Sequence, residues 1–143
     1  MLQSVASPNK RIFIVENNVG VTETLTTCLQ GKLPRAVISS VTNVGELRDQ
    51  LSRLSKADSS QGVTIISGDK DDLFTLFPKE GINFLAEILE VVGDVAQSIA
   101  ITVVPYTTLP AEMPIVEDKP SNVTVAATVE KNANGIGCLL SAI

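Results

Sequence analysis

A chain of 143 residues with 44% hydrophobic and 19% charged side chains is long enough to bury one core and leaves little room for a second. Its 11 basic residues are scattered and outnumbered by 16 acidic ones, for a formal charge of −5, which excludes the electrostatic footprint that nucleic acid needs. There is no histidine and no tryptophan, so the usual base for a serine or cysteine nucleophile, the commonest zinc ligand and most stacking surfaces are missing together. Carboxylate, lysine and hydroxyl chemistry remain, or plain binding, and the chain is not expected to be an enzyme.

The first ten positions form a polar leader with Pro8 and Asn9 and lack the apolar centre of a secretory signal. The longest apolar runs, such as Ile99 to Tyr106, fall short of the roughly 20 residues a membrane-spanning helix needs. A cytoplasmic chain without membrane contact is expected, with a single domain over residues 11–143.

Arg11-Ile12-Phe13-Ile14-Val15 is short, apolar and β-branched, the composition of a strand buried on both faces of a parallel sheet. Glu16-Asn17-Asn18 supplies turn and cap chemistry, and Val21, Leu25, Cys28 and Leu29 follow at helical spacing until Gly31 and Pro34. Ala36 to Val41 reads as a second strand. Asn43, with Glu46 three residues on, resembles a capping box opening a helix with Leu47, Leu51 and Leu54 on one face. Ser55 to Gln61 reads as a polar loop and Gly62 to Ser67 as a third buried strand. A charged loop from Gly68 runs towards Pro78 and Gly81, and Ile82, Leu85, Ile88, Leu89 and Val92 mark a third amphipathic helix.

Ile99 to Val104 is the fourth expected strand, Pro105 to Pro114 an irregular connection, and Ile115-Val116 a short fifth strand. Ser121 or Asn122 would cap a last helix through Val125 and Val129. Gly135-Ile136-Gly137 has no strand leading into it and reads as a helix break or frayed end. Cys28 and Cys138 fall on apolar helix faces, where a core role is expected. Strands alternating with helices predict an α/β fold: a five-stranded parallel sheet with helices on both faces, flavodoxin-like, its fourth helix shortened or replaced by a loop. In such a sheet sites form beyond the carboxyl ends of the strands, which selects Glu16-Asn17, Gly68-Asp69, Pro105 to Thr108 and Lys119.

In order and spacing these residues resemble the receiver domain of two-component signalling, the CheY-like response-regulator superfamily. Arg11 to Asn18 looks like its first strand and acidic pair, Pro78 and Gly81 before Ile82 look like its loop into the third helix, and Lys119-Pro120 looks like its lysine and cis-proline after the fifth strand. The resemblance implies a phosphoacceptor carboxylate after the third strand, acidic magnesium ligands after the first, a phosphoryl-contact lysine, and a Ser or Thr switch after the fourth strand. By that likeness Asp69 is the phosphoacceptor candidate, Glu16 and Asn17 form the acidic pocket, Thr107 and Thr108 are switch candidates, Lys119 is the phosphoryl contact and Pro120 the cis-proline. Glu16 and Asp69 are the candidate metal ligands.

The sequence also departs from the pattern. Asn17 is a poorer ligand for a hard cation than a carboxylate. A gap-free reading puts Gly68, not Asp69, at the acceptor position, and the switch position falls on Pro105 or Tyr106. Plain structural readings stand beside the functional ones: Asp69 as a turn residue in a run with Asp71 and Asp72, Asn17 as a helix cap, Lys119 as a partner of Glu117, Asp118 or Glu16.

The expectation is therefore an atypical or pseudo-receiver, an interaction module in bacterial signalling or in the positioning of an assembly, similar to N-terminal modules of certain pilus-localisation ATPases. It carries no cofactor and meets a protein partner: a kinase, an output domain or an assembly component. A homodimer through the last strand and helix, Ile115 to Val129, is also expected, and the apolar ending Cys138 to Ile143 fits one part of a longer protein. The first alternative is a phosphoacceptor receiver using Asp69 with Mg2+ on Glu16. The second is a flavodoxin-like domain binding a small ligand, disfavoured because no glycine-rich phosphate loop follows the first strand.

Overall fold

A computed structural model describes residues 11–16, 18–54, 62–68, 84–107, 119–130, 135 and 137–139. The elements follow in the order β1 (Arg11–Val15), α1 (Val19–Lys32), β2 (Val37–Val41), α2 (Val44–Ser52), β3 (Val63–Ser67), α3 (Leu85–Val95), β4 (Ile101–Thr107), β5 (Val123–Val125) and β6 (Val129–Glu130). Every strand pairing is parallel, and the spatial order is β2-β1-β3-β4-β5, with β6 joined to β4. This is the doubly wound α/β sheet expected from the alternation of strands and helices. No helix among the described residues is long and apolar enough to cross a membrane.

The twofold alternation of side chains along a strand splits the core in two. Phe13 and Val15, with Ile65, Val103 and Val123, face α2 and α3; Ile12 and Ile14, with Ile66 and Val104, face α1 and Leu139. The apolar run Ile12 to Val15 of β1 and the fully buried, mostly apolar β3 follow from this, because both of their faces are covered. The edge strand β2 is covered less, and its polar Ser39 and Ser40 fit that place.

Local signals set the helix starts. Asn18 caps α1 by accepting from the Val21 amide at 3.2 Å. A variant of the capping box forms at α2: the Asn43 side chain accepts from the Glu46 amide at 2.9 Å, while the Glu46 carboxylate reaches one residue past the cap and accepts from the Thr42 hydroxyl at 2.6 Å and the Thr42 amide at 3.3 Å. Gly62 enters β3 with φ of +81°, and a Cβ there would stand 3.3 Å from the Ala100 carbonyl oxygen, so Gly62→Ala is expected to cost about 1–2 kcal/mol in urea-denaturation stability.

The second half of the chain departs from the sequence reading. The strand beside β4 is Val123–Val125, where a last helix was expected; Ile115-Val116 lies outside the described residues, as does the connection proposed in place of a fourth helix. Valines at 125 and 129 suit a helix by spacing, but Val123 packs in the α2–α3 core and Val129 in the α1 core, on opposite faces of the sheet. Asn122 caps no helix: its amide nitrogen donates to the carbonyl oxygens of Ala96 and Ile99, at 2.8 and 2.7 Å, and ties the end of α3 to the start of β5. The segment through Val125 and Val129, expected as a helix, is therefore strand at both of these positions. β4 runs three residues further than expected, through Pro105 to Thr107. Residues 135 and 137–139 are helical, and Cys138 is exposed where a core role was expected.

Candidate functional site

The strand order reverses direction at β1, whose two neighbours are β2 and β3, and the crevice beyond β1 and β3 is where this class of sheet binds. In register, Val15 lies opposite Val41 and Ser67, and Ser67 opposite Pro105, so Glu16 and Gly68 emerge side by side at the carboxyl edge. The Glu16 amide donates to the Val41 carbonyl oxygen at 3.1 Å and the Gly68 amide to that of Val15 at 2.8 Å, which carries both ladders one residue past the strands. The Phe84 amide donates to the Gly68 carbonyl oxygen at 3.1 Å and anchors the start of α3 on the same residue.

Glu16 is 2% exposed, and its carboxylate accepts from the Asn18 amide at 3.1 Å. A buried carboxylate is tolerated only with such donors. The side chain lies against Gly68: a Cβ built there would stand 2.5 Å from Glu16 Oε1 and 2.7 Å from the Val15 carbonyl oxygen. A backbone oxygen and a carboxylate thus fill the space that any side chain at position 68 needs. A gap-free sequence reading placed Gly68 at the acceptor position, with Asp69 as the alternative, but did not foresee the contact with Glu16, since that contact joins residues on two strands.

Tyr106 and Thr107, both buried at the end of β4, complete the described part of the crevice. Tyr106, with Asn18, Gly20, Val21, Thr24 and Leu25, lines a cavity of about 310 Å³ at the start of α1. Burial above all, then the charge of Glu16, then Cys28, raises the Tyr106 hydroxyl above its ordinary value of 10.0. The unfolded chain loses this proton first, so stability is full below pH of about 10 and falls as pH rises through the folded value. Melting temperatures taken on either side of that range should show the fall, and Tyr106→Phe should remove its tyrosine component.

The structure separates residues that the sequence reading brought together. Lys119 precedes β5, so it sits at the amino edge, at the opposite end of the sheet from Glu16. Its Nζ donates to the Val123 carbonyl oxygen at 2.6 Å. The cause is the strand register: Val123 pairs with Ile101, the first residue of β4, and the Val123 amide closes a turn onto the Pro120 carbonyl oxygen at 3.0 Å. The described residues hold no cis peptide bond, so Lys119–Pro120 is trans and the cis-proline expectation is corrected. Thr107 does lie at the carboxyl edge, whereas Asn17, Asp69 and Thr108 lie outside the described residues. Among the described residues, no three acidic, cysteine or histidine side chains come together as a metal site.

The described residues form a doubly wound parallel α/β sheet in which Glu16 packs against Gly68 at the carboxyl edge of β1 and β3. No protein-family model matches the sequence, and neither does any curated protein. The chain is similar in structure to a response regulator receiver domain protein from Bacillus halodurans, with a TM-score of 0.54 over 94% of this chain and 96% of that one. At 12% sequence identity that likeness shows the fold.

Proposed function

We propose that the chain is a receiver-like protein-interaction module, cytoplasmic and non-enzymatic, that works in bacterial signal transduction or in positioning an assembly without taking a phosphoryl group at the usual place. The observation that carries this reading is the closure of position 68, where Glu16 Oε1 and the Val15 carbonyl oxygen stand 2.5 and 2.7 Å from where a Cβ would be. Phosphoryl transfer to a carboxylate needs that carboxylate in the crevice, with cations around the transferring group. In the gap-free reading glycine stands at the acceptor place, and Lys119 lies at the far edge of the sheet. The fold remains as a rigid scaffold for presenting a surface.

The test is a magnesium and beryllofluoride titration of the full chain followed by amide NMR, since this fluoride mimics a phosphorylated carboxylate without needing a kinase. The expected result is no saturable response at Glu16, Gly68 or Thr107. Saturable, magnesium-dependent shifts that Asp69→Ala abolishes would instead establish the phosphoacceptor reading and overturn this one.

A further inference from the structure

Among the described residues, nothing pairs with the outer edge of β2, the end strand of the sheet. Edge strands are commonly guarded against pairing by a lysine, a proline or a bulge; Val37-Ile38-Ser39-Ser40-Val41 has no charge and no proline, and its register with β1 is unbroken. Val37, its first residue, is 40% exposed. The Val41 carbonyl oxygen accepts from the Glu16 amide at 3.1 Å, so by the alternation of a parallel ladder Val37, Ser39 and Val41 turn their backbone groups toward β1, and Ile38 and Ser40 turn theirs outward. The next outward positions are already engaged. The Ala36 amide donates to the Leu33 carbonyl oxygen at 3.0 Å, the Ala36 carbonyl oxygen accepts from Gln30 Nε2 at 3.2 Å, and the Thr42 amide donates to Glu46 Oε1 at 3.3 Å. The open edge is therefore two residues, Ile38 and Ser40, placed symmetrically about Ser39.

A second β2, run antiparallel about a twofold axis at Ser39, matches that edge. Ile38 of each copy then exchanges both backbone hydrogen bonds with Ser40 of the other, and the exposed Val37 stands opposite Val41 of the second copy in a non-hydrogen-bonded pair, where side chains lie closer. The charges fit the same axis. Arg35, just before β2, is exposed and enters no ion pair among the described residues. Past the other end of β2 stands Glu46, also exposed; its bonds from the Thr42 amide, the Thr42 hydroxyl and the Asn43 side chain all fall on Oε1, which leaves Oε2 for a partner. The twofold sets Arg35 of one copy opposite Asn43 of the other, beside Glu46, so a guanidinium meets a carboxylate at both ends. A uniformly acidic or basic foreign strand would be attracted at one end and repelled at the other; the polarity that suits both ends is that of β2 itself, reversed. We infer that the β2 edge pairs with the β2 edge of a second copy of this chain, antiparallel and twofold, and so continues the sheet across a dimer.

Sedimentation velocity over a concentration series of the full chain tests this. A five-residue strand covers less than the roughly 1,200 Å² of a standard interface, so a reversible dimer is expected at concentrations on the order of 100 µM. Arg35→Glu alone and Glu46→Lys alone should each weaken it roughly tenfold, since each sets like charges together at both ends, and an equimolar mixture of the two should associate as the parent does. Ser40→Pro removes an outward donor without touching the β1 ladder, and it should abolish the dimer with little change in the urea midpoint. With Arg35→Glu, it keeps the test decisive if Glu46→Lys disturbs the α2 cap. A chain that stays monomeric at millimolar concentration, a dimer indifferent to Arg35→Glu and Ser40→Pro, or a mixture of the two folded charge variants that fails to associate would each overturn the β2 contact.

Discussion

Gly68→Asp should yield a chain that is strongly destabilised and still fails to bind beryllofluoride. The substitution places a carboxylate where a receiver would have one, but its Cβ meets Glu16 Oε1 at 2.5 Å, Glu16 Cβ at 3.0 Å and the Val15 carbonyl oxygen at 2.7 Å. Only the Oε1 contact relaxes if the Glu16 side chain swings away; Glu16 Cβ and the Val15 carbonyl oxygen are fixed by backbone that is held by the Glu16 amide on Val41 at 3.1 Å and the Gly68 amide on Val15 at 2.8 Å, and they cannot relax without disturbing the sheet. Overpacking of this kind costs about 3 kcal/mol even for Gly68→Ala. Aspartate adds a second negative charge beside a glutamate that is already buried, so its cost is larger. In a double variant, Glu16→Ala should restore only part of the stability lost in Gly68→Ala, because the Val15 oxygen remains. Urea-unfolding midpoints measure all three. A Gly68→Asp protein with the parent's midpoint and a magnesium-dependent beryllofluoride response would show that the crevice is open after all.

Phe13→Ala should be the most damaging truncation in the core, at about 3–5 kcal/mol. Phe13 is fully buried on the central strand β1, on the face that packs against α2 and α3, where Leu47, Leu51, Ile88 and Val92 are buried in the same cluster. Its ring also underlies the Arg11 guanidinium, 4.7 Å from the ring centroid. Arg11 Nε is buried without a hydrogen-bond partner, so the face of the ring is part of what makes that cation tolerable, a contribution of about 0.5–2 kcal/mol. Since domains of this size are stable by only about 5–15 kcal/mol, the alanine variant should lose a large part of its folded margin at room temperature. Phe13→Leu keeps most of the volume and should cost far less. Chemical denaturation distinguishes the two, and similar losses in both would mean that the ring face, not core volume, dominates.

The first half of the fold was legible in the sequence because its signals are local and mutually consistent. The span of β1 agrees with its apolar run to the residue, Asn18 and Asn43 cap the helices they precede, and the Glu46 side of the capping box closes. Such patterns act within a few residues and leave their trace in the order of side chains. Beyond Val104 the local signals conflict. Val125 and Val129 are spaced for a helix, Val123 to Val125 are β-branched for a strand, and only pairing with Ile101 to Val103 decides between them. Lys119-Pro120 resembles a site only when read against a strand that precedes it; a strand, β5, follows it and places it at the amino edge of the sheet.

For this protein, the order of residues was enough to determine the alternation of strands and helices as far as β4, the parallel sheet and the residues at the ends of β1 and β3, because buried strands and capped helices are written in periodicity and short-range chemistry. The contact that defines the crevice was decided only when the chain folded. Glu16 and Gly68 lie on different strands, and their fit depends on a parallel register that sets Val15 against Ser67. No spacing along the sequence encodes that distance, since it is the sheet that brings a carboxylate and a missing Cβ into the same volume.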